Sequence, residues 1–153
     1  NKHDPDPETE KELGVTFASL DELLAKSDFV SLHVPLTDET RHMINKETLA
    51  KMKKGSFLIN TARGPIVDER NLVEALKSGH LAGVALDVFD NEPNIDPEFL
   101  AMPNTITTPH IASATIEARN KMGEMAVGAI LDTLEGEKPS TIVNEEVWQK
   151  RRK

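Results

Sequence analysis

The chain has 153 residues, of which 38% are hydrophobic and 29% charged, a balance typical of one soluble globular domain. Its net charge of −8 disfavours nucleic acid as the main partner, because phosphate backbones are bound by basic surfaces. The absence of cysteine excludes disulfides, a thiolate nucleophile and cysteine-bound metals, and it favours the cytoplasm as the compartment. No run of about 18 apolar residues and no signal-peptide pattern occurs, so no membrane partner is expected.

Short apolar runs alternate with helical patterns along most of the chain. Residues 1–12 carry two prolines and seven charged side chains, which predict an exposed segment, with regular structure beginning near Leu13. Two runs, at 29–34 and 81–88, are nearly continuous in apolar residues and predict strands buried on both faces. The predicted strands lie at residues 15–18, 29–34, 56–61, 81–88 and 105–108.

Capping and stop signals predict helices between these strands. Residues 90–104 contain three prolines and are predicted to be an irregular connection. Residues 150–153 form a basic tail. The predicted helices begin at Ser19 or Asp21, at Asn45, at Asp68 and at Thr115, and the last three end at Lys54, Gly79 and Leu134.

This order of elements predicts an α/β fold, a Rossmann-like doubly wound parallel sheet followed by a long C-terminal helix. None of the eight glycines forms the G-x-G-x-x-G phosphate loop. If this fold binds a dinucleotide, the sheet is therefore expected to lack its first βαβ unit. The predicted division is an exposed segment at 1–12, a partial nucleotide-binding domain at 13–114, and a C-terminal helix and tail at 115–153.

Polar clusters follow three of the predicted strands, at the sheet edge where ligands bind in such folds. Arg63 lies between a strand end and a Gly-Pro turn, where its planar fork could bind a carboxylate through two hydrogen bonds. Glu92 lies in an acidic loop and His110 precedes the last helix, so they could form an oriented proton donor. The alternatives are a solvated surface turn, a solvated acidic loop and a structural histidine.

The other histidines are interpreted as structural. His33 is placed inside a buried strand and His80 at the end of a helix. No pair of histidines shows metal-ligand spacing with a carboxylate, so no metal is predicted. Arginine, glutamate and histidine together supply what reduction of a 2-oxo acid requires: a carboxylate anchor, an orienting acid and a proton donor beside a hydride-carrying cofactor.

Several motifs occur in a fixed order from about Gly14 to Asn144. The ordered set resembles the D-isomer-specific 2-hydroxyacid dehydrogenases, particularly the glyoxylate and hydroxypyruvate reductase branch. One such motif is weak evidence, whereas the ordered set is specific. The motifs are SDFVSLHVPLT at 27–37, MIN at 43–45, LINTARGPIVD at 58–68, ALDVF at 85–89, EP at 92–93 and TPHIASAT at 108–115.

The resemblance implies a role for each matching residue. Arg63 matches the arginine that binds the substrate carboxylate and oxo group, and His110 matches the acid/base. Glu92 matches the carboxylate hydrogen-bonded to that histidine. The resemblance further implies that Asp87 holds the nicotinamide carboxamide, that Pro35 and Thr61 line the NAD(P) site, and that Ser113 lies near the substrate.

Other implications concern parts of the family pattern that this sequence lacks or changes. Ala112 stands where many members have glycine, which is a small change. The glycine loop, the ribose-recognising residue and most of the substrate domain are expected to precede this sequence, which starts at Asn1 rather than at a methionine. Lys2 near a 2′-phosphate would favour NADP over NAD. Because the glycine loop and most of the substrate domain are expected to precede this sequence, the 153 residues alone are expected to be inactive.

The resemblance also implies that the helix from Thr115 leads back to the substrate domain and helps form the family's dimer. The apolar residues Ile116, Met122 and Ile130 favour a homodimer through this helix. The leading hypothesis is NAD(P)-dependent reduction of glyoxylate or hydroxypyruvate by the full-length protein. Lactate, phosphoglycerate and larger acids stay open as substrates. The alternative is an NAD(H)-sensing interaction module of the corepressor type, because fold alone does not separate enzyme from sensor.

Overall fold

The computed structural model describes residues 6–150 and contains a four-stranded parallel sheet in the order β1-β2-β3-β4. Val30 of the first strand lies opposite Leu58 of the second, which lies opposite Val84 of the third. The α/β, Rossmann-like class predicted from the sequence is confirmed. The strands are β1 (Phe29–Leu32), β2 (Phe57–Asn60), β3 (Gly83–Leu86) and β4 (Thr105–Thr107).

Helices connect successive strands, as parallel pairing requires. The crossovers from β1 to β2 and from β2 to β3 move in the same direction along the sheet. Right-handed crossovers of this kind place their helices on the same face, so α3 and α4 cover one side of the sheet. A 3-10 turn at Gly64–Ile66 follows β2. The helices up to β4 are α1 (Pro7–Leu13), α2 (Leu20–Lys26), α3 (Lys46–Lys51), α4 (Glu69–Lys77) and α5 (Pro97–Ala101).

The predicted helix starts are confirmed at Ser19, Asn45 and Asp68. The Ser19 side chain and that of Glu22 cap each other's backbone N–H groups, and Asn45 does the same with Thr48. Asp68 accepts a hydrogen bond from the backbone N–H of Asn71. These local contacts explain why capping residues predicted the helix starts correctly.

The hydrophobic core lies between the helices and one face of the sheet. Leu24 of α2, Leu49 of α3 and Leu72 of α4 are almost fully buried there. On the sheet, Leu58 and Val84 face the same core. Burial of these side chains is the main source of stability. It also holds the strands in place, and the candidate site lies at their carboxyl ends.

Two strand predictions are wrong. Residues 15–18 form no strand, and no strand of residues 6–150 pairs with them. β1 ends at Leu32 rather than at residue 34 and is buried on one face only, because Phe29 is 67% exposed while Val30 is buried. The exposed face also carries Phe57, whose ring stacks on that of Phe29 with centroids 5.1 Å apart. Continuous apolar runs do not reveal which face is covered.

Further differences concern segments predicted to be irregular or longer. Residues 7–12 belong to helix α1, none of whose residues is buried, so the predicted start of regular structure near Leu13 is wrong. The 90–104 connection contains α5, which Asp96 caps and Pro97 begins. Helix α3 ends at Lys51 rather than Lys54.

The structure divides into two compact units, one up to His110 and one from Ile111 onward. The second unit contains α6 (Ile116–Glu135), capped by Thr115 and ended by Gly136, and α7 (Glu145–Gln149), which the sequence did not predict. The predicted long helix is thus confirmed. The predictions for Lys2 and for the tail beyond Lys150 lie outside the described residues.

Candidate active site

The turn that carries Arg63 is held by Asn60, the last residue of β2. Asn60 is buried, its Oδ1 accepts a hydrogen bond from the Ala62 N–H at 3.0 Å, and its Nδ2 donates to the Arg63 carbonyl at 3.0 Å. Gly64 and Pro65 then form the 3-10 turn. Arg63 itself is exposed, with Nη1 donating to the Ala62 carbonyl at 2.6 Å. A charged fork is therefore held at the carboxyl end of the sheet.

A cleft of about 630 Å³ lies between the ends of β1 and β2. It contains three residues that the sequence assigned to cofactor or substrate, namely Pro35, Thr61 and Arg63. The Pro35 carbonyl accepts a hydrogen bond from the Thr40 hydroxyl at 2.7 Å, which fixes the turn after β1. The sequence did not single out the other lining residues, which are His33, Val34, Leu36 and Ala62.

His33 is placed differently from its prediction. It lies just beyond β1, is exposed, and its Nε2 is 2.8 Å from the Ser31 hydroxyl. The prediction that it lies inside a buried strand is wrong because β1 ends one residue earlier. Its position in the motif at 27–37, directly after a strand, is the signal that could have identified it as a cleft residue.

Glu92 and His110 form a hydrogen-bonded pair. The Nδ1 atom of His110 is 2.8 Å from Oε2 of Glu92, and Oε1 of Glu92 accepts a hydrogen bond from the Phe89 N–H at 2.9 Å. The side chain of His110 is 47% exposed and that of Glu92 is 35% exposed. Both oxygens of the carboxylate are thus occupied, while the imidazole remains accessible to a small molecule.

The pair has a defined charge preference. The His110 imidazole, and then the Phe89 N–H, lower the pKa of Glu92 below its ordinary value of 4.5. Glu92 is therefore ionised at neutral pH and acts as an acceptor. An ionised acceptor requires the proton on Nδ1 of His110, so Nε2 is the nitrogen that can exchange a proton with another molecule.

His110 is also fixed through its backbone. Its N–H donates to the carbonyl of Asp87 at 2.9 Å. Its φ of 52° lies in the left-handed region, which residues other than glycine seldom adopt. The Asp87 side chain is 3% exposed, and its Oδ1 accepts a hydrogen bond from the Thr108 hydroxyl at 2.5 Å. The ends of β3 and β4 thereby hold the imidazole in one position.

The segment after β2 contacts the loop that carries Glu92. A Cβ atom on Gly64 would lie 1.9 Å from the Phe89 carbonyl carbon, so only glycine allows this approach. Arg63 and Glu92 thus come from two segments in direct backbone contact. Ser113 belongs to the second unit, and its role near the substrate stays a prediction.

Residues 6–150 contain neither a candidate metal site nor a membrane-spanning helix. No group of three or more histidine and acidic side chains in that range could hold a metal ion. Within the same range, no helix has both the length and the apolar character that crossing a bilayer requires.

Comparisons with known proteins agree with this geometry. Residues 1–112 match the family model of the D-isomer specific 2-hydroxyacid dehydrogenase, NAD binding domain. The glyoxylate reductase of Thermofilum pendens is 56% identical over 137 residues, which are 88% of this chain and 40% of that protein. The chain thus spans about two fifths of the length of this curated relative.

Solved structures show the same relationship. A glyoxylate reductase from Paecilomyes thermophila is 41% identical with a TM-score of 0.82, and the match covers 94% of this chain and 43% of that one. The D-lactate dehydrogenase with NAD+ from Lactobacillus jensenii is 32% identical with a TM-score of 0.85, covering 94% of this chain and 47% of that one. The chain belongs to the D-isomer-specific 2-hydroxyacid dehydrogenase family and carries sequence of its NAD-binding domain.

Proposed function

We propose that the intact protein reduces a small 2-oxo acid, glyoxylate or hydroxypyruvate, to the 2-hydroxy acid, with NADH or NADPH as the reductant. The observation that carries this proposal is the Glu92–His110 hydrogen bond, which lies at the same carboxyl end of the sheet as the turn that carries Arg63. The names of the relatives, which are reductases and dehydrogenases, favour this enzyme over the NAD(H)-sensing module.

Arg63 is proposed to bind the substrate carboxylate and to polarise the oxo group. Its exposed guanidinium sits on a turn whose backbone is fixed by Asn60, so little backbone order has to be gained when substrate binds. A planar fork makes two parallel hydrogen bonds to a carboxylate, which a single ammonium group cannot do. Arg63 therefore supplies both affinity and orientation.

His110 is proposed to deliver the proton. A bound reduced nicotinamide would supply a hydride to the carbonyl carbon, and the carbonyl oxygen would then need one proton to become a hydroxyl group. The protonated imidazole donates that proton from Nε2, while Nδ1–H stays bonded to Glu92. The Glu92 carboxylate stabilises the imidazolium before the transfer and keeps the neutral ring in one tautomer afterwards.

The cofactor is proposed to lie along the cleft beside Pro35 and Thr61 and to reach Asp87 with its carboxamide. The position of the cleft supports this, because it lies at the carboxyl ends of two parallel strands, where ligands bind in such folds. The matching family model is an NAD-binding domain, which supports NAD as the cofactor. The choice between NAD and NADP is proposed to depend on residues such as Lys2, which lies outside the described residues.

The assembly and location are part of the proposal. The apolar side chains Ile116, Met122 and Ile130 of α6 are 75%, 58% and 60% exposed in the described chain, which supports the proposed homodimer through this helix. Assignment of residues 115–153 to a substrate domain and a cytoplasmic location stay predictions, as does a role for Ser113.

A substrate panel tests the proposal. The intact gene product is offered glyoxylate, hydroxypyruvate, pyruvate and a bulky 2-oxo acid, each with NADH and with NADPH, and loss of reduced cofactor is followed by absorbance. We expect the highest kcat/KM for glyoxylate or hydroxypyruvate. Cofactor binding without turnover of any acid would favour the sensor, and preference for pyruvate or the bulky acid would reassign the substrate.

A further inference from the structure

A second carboxylate holds the loop that carries Glu92. Glu69, the first residue of α4, accepts a hydrogen bond from the Asp90 N–H through Oε1 at 2.8 Å. The preceding peptide N–H, that of Phe89, donates to Glu92 itself at 2.9 Å. Two consecutive N–H groups of one loop are therefore bound by two acidic side chains, of which Glu92 also contacts His110.

Glu69 and Gly64 touch this loop at neighbouring points. Gly64 packs against the Phe89–Asp90 peptide so closely that a Cβ atom would lie 2.4 Å from the Asp90 nitrogen. Glu69 binds the hydrogen on that same nitrogen. The short segment that begins after Arg63 thus fixes the loop both by close packing and by a hydrogen bond.

The surroundings of Glu69 are unfavourable for a carboxylate without such a partner. Glu69 is half-buried, and burial raises its pKa above the ordinary value, with Asp90, Asp96 and Glu92 adding repulsion. The Asp90 N–H is the group that counters this rise. The hydrogen bond from the Asp90 N–H therefore favours the ionised form of Glu69 at this position.

We propose that Glu69 is a positioning residue that fixes residues 89–92 so that the Glu92 carboxylate meets Nδ1 of His110. Its effect on turnover rests on the proposed reductase function, whereas its effect on the Glu92–His110 pair does not. Glu69 does not touch the reacting atoms and acts only through Glu92.

Three variants separate this role from general support of α4. Glu69→Ala removes the acceptor, Glu69→Asp keeps the charge at the helix start but shortens the reach, and Glu69→Gln keeps an acceptor of the same length. Asp68→Ala is the matched control, because the Asp68 side chain caps the same helix by accepting from the Asn71 N–H. If Glu69→Ala fails to fold, Glu69→Asp carries the same test.

The first readout needs no substrate. In the intact protein, 15N NMR of the His110 ring measures the fraction that carries its proton on Nδ1, and 13C NMR titrates Glu92. We expect Glu69→Ala and Glu69→Asp to lower the Nδ1–H fraction and to bring the pKa of Glu92 nearer its ordinary value. Glu69→Gln and Asp68→Ala are expected to match the wild type.

The second readout is turnover of glyoxylate. Glu69→Ala is expected to lower kcat by roughly 10- to 100-fold with little change in cofactor KM, because a misplacement of about 1 Å can cost up to about 10²-fold in rate. Unchanged His110 and Glu92 signals in Glu69→Ala and Glu69→Asp would overturn the inference. A wild-type protein that reduces no 2-oxo acid, yet shows the NMR changes, would instead overturn the proposed function alone.

Discussion

The Nδ1 atom of His110 lies 2.8 Å from Oε2 of Glu92, and the same carboxylate binds the Phe89 N–H through its other oxygen. The carboxylate thus connects the segment after β3 to the segment after β4. An imidazole held in this way needs little reorganisation when a proton moves, which is the property expected of a catalytic acid.

Replacement of His110 by asparagine should leave the fold intact and remove the proton donor. We expect His110→Asn to lower kcat by a factor of about 10² to 10⁴, the usual contribution of a general acid. Cofactor affinity should change little. Steady-state kinetics with glyoxylate, together with fluorescence titration of NADH, measures both, and near-normal turnover would remove His110 from the mechanism.

Replacement of Arg63 by alanine should abolish measurable turnover. We expect a loss of roughly 10³-fold or more in kcat/KM, because a charge-assisted fork on the carboxylate and oxo group is lost. Arg63→Lys should recover little of this, since an ammonium cannot replace the planar fork. Arg70→Ala, an exposed arginine on α4, is the matched control. Retained kcat/KM in Arg63→Ala would refute the role of Arg63.

The charge on Glu92 predicts a pH-dependent stability. Because its pKa is lowered in the folded protein, ionised Glu92 stabilises the fold above about pH 4.5, and this contribution is lost as pH falls through the lower folded pKa. The Tm difference between the wild type and Glu92→Gln should thus be largest above pH 5 and shrink toward pH 3. Equal differences at both pH values would contradict the assignment of Glu92 as an ionised hydrogen-bond acceptor.

The close approach of Gly64 to the Phe89 peptide predicts a sharp glycine requirement. A methyl group there collides with backbone rather than with a flexible side chain, so Gly64→Ala should lower the free energy of unfolding by roughly 1–3 kcal/mol or more. Gly123→Ala in α6 is the control, because a Cβ atom meets nothing within 4 Å there. That control should be unchanged or stabilised by about 0.5–1 kcal/mol. Urea unfolding compares the two, and a neutral Gly64→Ala would disprove the contact.

The sequence predicted what local chemistry determines. Asn45, Asp68 and Thr115 cap helices as expected, because each side chain bonds the backbone of its own first turn. His110 and Glu92 were both identified because they follow apolar strands, and the family resemblance added that the two side chains are hydrogen-bonded to each other. Spacing alone does not bring together residues 18 positions apart.

The missed features depend on contacts between distant segments. Glu69 was predicted only as part of a helix start, and nothing in its neighbourhood in the sequence reveals its contact with Asp90, 21 residues away. The exposed face of β1 was missed because an apolar residue such as Phe29 is equally compatible with a strand buried on both faces and with a strand buried on one face. Helix α5 was missed because proline was interpreted as a breaker, although Pro97 occupies the first helical turn, where proline is tolerated.

The proposed reduction is tested most directly by the rate at which the intact protein converts glyoxylate to glycolate with NADH or NADPH, measured in parallel for wild type and His110→Asn. One glycolate should form for each reduced cofactor consumed, and the rate should be lower by a factor of about 10² to 10⁴ in the variant. Absence of glycolate in the wild type under saturating cofactor and substrate, or equal rates in the two proteins, would contradict it.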